Sequence, residues 1–95
     1  SKPAPDYAGC AADATRALEL GNTAWFVSVN RGLARAHLGQ FRAAAADFDA
    51  GLARLAADDR RRAWPVRHRG YVRERAGDLA GALADAAEAA KLDPK

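Results

Sequence analysis

Asn30-Arg31-Gly32, Leu38-Gly39-Gln40-Phe41, Ala44 and Asp47-Phe48 form one series of residues, and His68-Arg69-Gly70, Ala76-Gly77-Asp78-Leu79, Ala82 and Asp85-Ala86 form a second. The two superimpose without gaps. Within each, seven positions separate the glycines, and the copies are offset by 38 positions, from Gly32 to Gly70. Self-similarity at a fixed offset is the mark of stacked supersecondary units, each too small to bury its own apolar face. A partial copy precedes them. Tyr7, Cys10, Asp13, Ala14, Ala17 and Leu18 stand at the spacing of Phe41, Ala44, Asp47, Phe48, Gly51 and Leu52, an offset of 34 positions from Tyr7 to Phe41. The pattern predicts half a unit followed by two full ones.

Each full unit divides into two helices. Apolar residues at 41, 44, 45, 48, 52 and 55 recur at three- and four-residue spacing, the stripe of a helix with one buried face. Asp47, Asp49 and Arg54 are read as lying off that stripe. Leu79, Ala82, Leu83, Ala86, Ala89 and Ala90 repeat it, as do Tyr7, Ala11, Ala14 and Leu18. Thr23–Leu38 and Ala63–Ala76 are the expected partner helices. Gly39 and Gly77 fall where a helix must stop and the chain turn, a place for left-handed backbone. Thr23, Asp6 and Asp78 are the expected N-caps. Gly32 and Gly70 need another explanation, because glycine within a helix costs about 1 kcal/mol relative to alanine. Their recurrence in register predicts a close helix–helix approach where a β-carbon would collide.

Composition agrees with this reading. Of the 95 residues, 49% are apolar, and alanine, the best helix former, makes up much of that share. No alternating apolar/polar run suggests a strand, and no apolar run approaches the roughly 20 residues that span a bilayer. The opening Ser1-Lys2-Pro3-Ala4-Pro5 reads as an extended tail (1–5) without a charged-then-apolar leader, so a signal peptide is expected to be already removed or never present. Residues 6–95 read as one domain: a half repeat over 6–22, a repeat over 23–58 and a repeat over 63–95. The single Cys10 has no partner for an internal disulfide and is expected to be a small buried helix residue. Net charge is +3. Arginines 54, 60, 61, 62, 67, 69, 73 and 75 cluster in the second half, while Asp78, Asp85, Glu88 and Asp93 make the last segment more acidic.

These residues resemble the tetratricopeptide repeat, a 34-residue helix-turn-helix unit. The family's small residue in the first helix is matched by Gly32 and Gly70, and its turn glycine by Gly39 and Gly77. Phe41 and Leu79 match the large apolar residue that follows. Ala44, Phe48 and Gly51 match the second helix of the first copy. Ala82, Ala86, Ala89 and Pro94 match that of the second copy, where Ala86 departs from the family's aromatic. The Asn30-Arg31-Gly32 triplet and the preceding Cys10-bearing half repeat are similar to a bacterial style of the repeat. Proteins of that style are often exported, which leans toward a periplasmic home, with the cytoplasm as the alternative. The resemblance implies an all-α fold of about two and a half units, five helices in antiparallel helix-turn-helix pairs, forming a short right-handed solenoid. One departure is a four-residue excess in Ala56–Ala63, about one helical turn. Either the helix after Phe41 runs one turn long, or Arg60–Arg62 form a short linking turn. Pro65 suits the first turn of the next helix.

The resemblance also implies a concave groove lined by first helices. Its residues would be Phe26, Val29, Asn30, Leu33 and His37 in one unit and Trp64, Arg67, His68, Tyr71, Glu74 and Arg75 in the next. Such a groove would hold a peptide or partner helix. The alternative is that Phe26, Val29 and Leu33 pack against a neighbouring helix. Some family members clamp a peptide C-terminus with lysine and asparagine. Val29 and Leu33 stand in those places here, so that activity is not carried over, although Arg67 and Arg75 could bind one carboxylate through paired hydrogen bonds. Arg60-Arg61-Arg62 beside Trp64 and Tyr71 admits a nucleic-acid reading, against a solvated linker paired with Asp58 and Asp59. His37 and His68 lie far apart without the spacing of a metal site, and the glycines form no phosphate loop. No enzyme activity, cofactor or metal is expected, and no membrane insertion. The expected role is a protein–protein interaction scaffold or adaptor whose partner is another protein or peptide. A homodimer through exposed terminal helix faces, paired closely at Ala82, Ala86 and Ala89, is the alternative. A basic nucleic-acid-binding module ranks third.

Overall fold

Five helices follow one another in the computed structural model, which describes residues 5–94: α1 (Tyr7–Glu19), α2 (Trp25–His37), α3 (Phe41–Leu52), α4 (Ala63–Arg75) and α5 (Leu79–Leu92). The described residues contain no strand. Each helix packs on the next along the chain, and α2 also touches α4. Short connections make sequence neighbours antiparallel. The all-α helix-turn-helix arrangement is therefore the one expected, with α2–α3 and α4–α5 as full hairpins and α1 as a half. Of the expected tail 1–5, residues 1–4 lie outside the described range, as does Lys95.

Three helices end in the same way. Gly21, Gly39 and Gly77 have φ of +90°, +78° and +93°, a backbone open to glycine at no steric cost. In each case the residue after the glycine donates its N–H back across the last turn: Asn22 to the Ala17 carbonyl, Gln40 to Arg35 and Asp78 to Arg73. This closure satisfies carbonyls that a helix end leaves unpaired. Helix starts are less uniform. The carboxylates of Asp6 and Asp78 accept from the N–H groups of Gly9 (2.8 Å) and Gly81 (2.9 Å), as expected of N-caps. Thr23 is not a cap. Helix α2 starts two residues later, behind Ala24, and Asn22 accepts the Ala24 N–H instead (3.2 Å). The shorter turn from Asn22 captures the backbone before Thr23 can.

The mid-helix glycines mark the closest approaches. A β-carbon on Gly32 would lie 3.0 Å from the Ala44 carbonyl oxygen and 3.1 Å from Asp47 Cβ. One on Gly70 would lie 3.1 Å from Asp85 Cβ. A third contact is tighter, since a β-carbon on Gly51 would come within 2.7 Å of the Trp25 carbonyl. These approaches let the core close around Val29, Ala44, Phe48 and Val72, with Trp25, Leu33, Ala36, Phe41 and Ala45 against them. A smaller cluster, Leu52, Val66 and Ala89 with Leu92, joins α3, α4 and α5.

Asp47 corrects the sequence reading. It is 3% exposed, not on the solvent side of the stripe, and Asp85 is 1% exposed. Buried carboxylates must be paired, and here each takes two arginines from the helix opposite. Arg31 binds Asp47 through Nε (3.1 Å) and Nη2 (2.8 Å), and Arg35 adds a third contact at 3.0 Å. Arg69 binds Asp85 at 3.1 and 2.7 Å, with Arg73 at 3.1 Å. The far side of each first arginine reaches back to the preceding helix. Arg31 donates to Thr15 Oγ1 (3.2 Å), and Arg69 donates to Asp49 (2.9 Å). Thr15 and Asp49 hold equivalent positions.

The four-residue excess forms a short 3-10 turn over Arg60–Arg62, the second of the two expected arrangements. Pro65 falls in the first turn of α4 and is buried. Arg61 pairs with Asp59 (2.7 Å), whose carboxyl those hydrogen bonds hold down to about 2. Asp58 makes no such pair among the described residues. Arg62 is mostly buried rather than solvated. It donates to the Leu52 carbonyl (2.9 Å) and to Glu88 (3.0 Å), tying the end of α3 to α5.

Candidate functional site

First helices α2 and α4 face each other across a recess of about 440 Å³. Leu33, Ala36 and His37 form one wall, Arg67, His68, Tyr71 and Val72 the other, and Phe48 lies below. The volume falls within the usual range for ligand sites. The floor is closed because Phe48 is 0% exposed and packed in the core, while the rim is open, with Tyr71 56% exposed. The Trp64 ring rests against His68 at 4.3 Å, and the Tyr7 ring stacks on His37 at 4.1 Å. Burial holds the His68 pKa below its ordinary value, and the nearby Arg67 and His37 add to that. His68 is therefore a neutral hydrogen-bonding group at neutral pH, while Arg67 carries the positive charge.

A second recess, about 480 Å³, lies between α1 and α2. Tyr7, Cys10, Asp13, Ala14 and Ala17 line it from α1, and Phe26, Val27, Asn30, Leu33 and Ala34 from α2. Leu33 is the ridge between the two recesses.

The expected groove is thus divided. Leu33, His37, Arg67, His68 and Tyr71 come together, with Trp64 beside them. Phe26 and Asn30 line the other recess. Glu74 lies in a crevice between α4 and α5 with Ala82 and Ala86, which Arg67 and Tyr71 also line from the edge of the recess. Arg75 sits over the Phe41 ring, 5.4 Å from its centre, and Arg67 pairs with Asp93 at 3.6 Å, so the two are not arranged around one carboxylate. Val29 is corrected outright. At 1% exposure it is core, pressed against the Gly51 side of α3, and lines neither recess. Cys10 is corrected in the opposite sense. It is exposed in the second recess, because no described helix covers that face of α1. Ala36, Phe48 and Val72 complete the α2–α4 recess and were missed. The signal for Ala36 was its place one turn beyond Leu33 on the same helix face.

Among the described residues, no three His, Cys, Asp or Glu side chains gather where a metal could bind. No described helix is long and apolar enough to cross a membrane. No protein-family model, curated protein or solved structure matches the chain significantly.

Proposed function

We propose that this chain is a non-enzymatic protein–protein interaction module, of tetratricopeptide-repeat type, that holds a peptide or partner helix between α2 and α4 in a scaffold or adaptor role. The observation that carries this reading is the recess itself: a buried apolar floor at Phe48, an exposed Tyr71, and Arg67 at the rim. Aromatic and arginine side chains over a rigid apolar base are the usual anchors of binding energy. The chemistry favours a segment with one apolar side chain to fill the space above Leu33 and Phe48. A carboxylate within reach of Arg67 would complete it. A peptide array probed with the full chain tests this. Tyr71→Ala should lose most of the selected ligands, while Glu74→Ala, outside the recess, should keep them. Retention of every ligand by Tyr71→Ala removes the proposal.

A second reading has its own observation. Leu79 and Leu83 are exposed on α5 (63% and 73%), and Ala86 and Ala90 continue the same face. That stripe supports a homodimer, although Ala89, expected to take part, is buried in the core. Sedimentation of the native chain tests it, and a monomer at high concentration ends it. A basic nucleic-acid surface has less support. Arg61, Arg62, Arg69 and Arg73 are all engaged with carboxylates of this chain.

A further inference from the structure

The molecule shows twice what covers a helix of the α1 type. On α3, the face bearing Phe41, Ala44, Asp47, Phe48 and Gly51 is covered by α2. On α5, the face bearing Ala82, Asp85 and Ala89 is covered by α4. Both covering helices carry the sequence Arg-Gly-x-x-Arg, as Arg31-Gly32 with Arg35 and Arg69-Gly70 with Arg73. In both, the glycine sits over the Ala-Asp turn of the covered helix, and the two arginines hold the aspartate.

On α1 the equivalent face is Tyr7, Cys10, Asp13, Ala14 and Ala17, and these five residues line the α1–α2 recess. Asp13 is exposed, and no described residue forms an ion pair with it. The methyl of Ala17, in the place of Gly51, is no obstacle, because Ala89 holds that place on α5 and is covered. The recess therefore has an apolar floor, one helical wall from α2 and a carboxylate, unpaired among the described residues, at the position where arginines bind in the other two cases.

We propose that the α1–α2 recess is a docking face for a helix of a partner polypeptide carrying Arg-Gly-x-x-Arg. The glycine seats over Cys10 and Asp13, and both guanidinium groups close on the Asp13 carboxylate. Charge complementarity and the two internal precedents define this occupant. A second copy of the chain does not supply it, because its α2 and α4 are already seated on Asp47 and Asp85 and would have to leave them. This docking face lies on the other side of Leu33 from the α2–α4 groove, and Leu33 lines both.

Cys10, the only cysteine and exposed on this face, reports occupancy directly. The test measures alkylation of Cys10 in the full chain by N-ethylmaleimide, with and without a capped synthetic peptide of residues 60–77 as a stand-in for the partner helix. The peptide should slow the reaction in a saturable way. Asp13→Asn in the protein, or Arg69→Gln with Arg73→Gln in the peptide, should weaken protection about tenfold, as expected for lost hydrogen bonds between charged groups. Gly70→Leu in the peptide should abolish it. The proposal is overturned if the peptide gives no protection, or if the glutamine peptide protects equally well. It is also overturned if Cys10 becomes protected simply as protein concentration rises, which would assign the face to a second copy.

Discussion

Asp47 and Asp85 occupy the same place in their hairpins, yet the surroundings differ. Beside Asp47 stands Phe48, 0% exposed, the largest fully buried side chain. Beside Asp85 stands Ala86, which faces solvent. In the first hairpin, the arginine that crosses from Asp47 to the preceding helix ends on the neutral Thr15. In the second it ends on the charged Asp49, and Glu88 lies 3.8 Å away. One backbone arrangement is thus held mainly by an aromatic core around a single carboxylate, and its repeat by a larger set of charges around alanine. Where the ring is missing, more carboxylates have gathered. Interactions among partly exposed charges are screened by salt, whereas aromatic burial is not. The α4–α5 hairpin should therefore be the more sensitive to ionic strength.

The strongest way to break this comparison is to remove the ring. Phe48→Ala should destabilise the fold by about 3–5 kcal/mol, read from urea unfolding. Ala86→Ser at the matching position should change stability by less than about 0.5 kcal/mol, as for an ordinary surface site. Similar losses at both positions would show that the second hairpin hides an apolar contact equal to the first.

Removing the carboxylates comes next. Asp47→Ala and Asp85→Ala should each cost on the order of 1.5–3 kcal/mol, the range for hydrogen bonds to charged groups. The loss at Asp47 should be the larger. Arg69 keeps Asp49 and Glu88 when Asp85 is gone, whereas Arg31 keeps only Thr15 when Asp47 is gone. A larger loss at Asp85 would mean that Asp49 does not act as a reserve partner.

The mid-helix glycines give the smallest contrast. Alanine at either site gains about 1 kcal/mol of helix propensity, against an overpacking cost of about 1–3 kcal/mol. Gly32→Ala drives a methyl to 3.0 Å from the Ala44 carbonyl, a backbone atom that cannot swing aside. Gly70→Ala meets the Ala82 carbonyl only at 3.5 Å. Gly32→Ala should be net destabilising and Gly70→Ala close to neutral in thermal unfolding. Equal midpoints would sharpen the view that the two hairpins close to the same depth.

Much of the fold was legible because glycines and alanines report directly on backbone. Gly39 and Gly77 could be placed at left-handed stops, and Gly32 and Gly70 at close approaches, since glycine tolerates left-handed backbone and leaves room where helices meet. The charged residues were harder. Asp47 reads as solvent-facing on a helical wheel, and only its arginines, 12 and 16 positions earlier on another helix, explain its burial. The signal was present, since Arg31, Arg35 and Asp47 recur as Arg69, Arg73 and Asp85. That repeated charge set marks a repeated contact. The site was legible only in part. Leu33, His37, His68 and Tyr71 could be placed on one face by helical spacing. Val29 lies one position round the helix, and that rotation turns it into the core. Cys10 was expected to be buried because a lone cysteine on a helix usually is, yet no described helix covers its face of α1.

The arginines that reach backward also give the stack a grammar. Each joint is written by a residue on the earlier helix, Thr15 for α2 and Asp49 for α4, and read by a guanidinium on the later one. The next word in that series is Ala87 on α5, a methyl group. An arginine arriving there would find no acceptor, so a helix packed on α5 would lack the joint that Thr15 and Asp49 supply to α2 and α4.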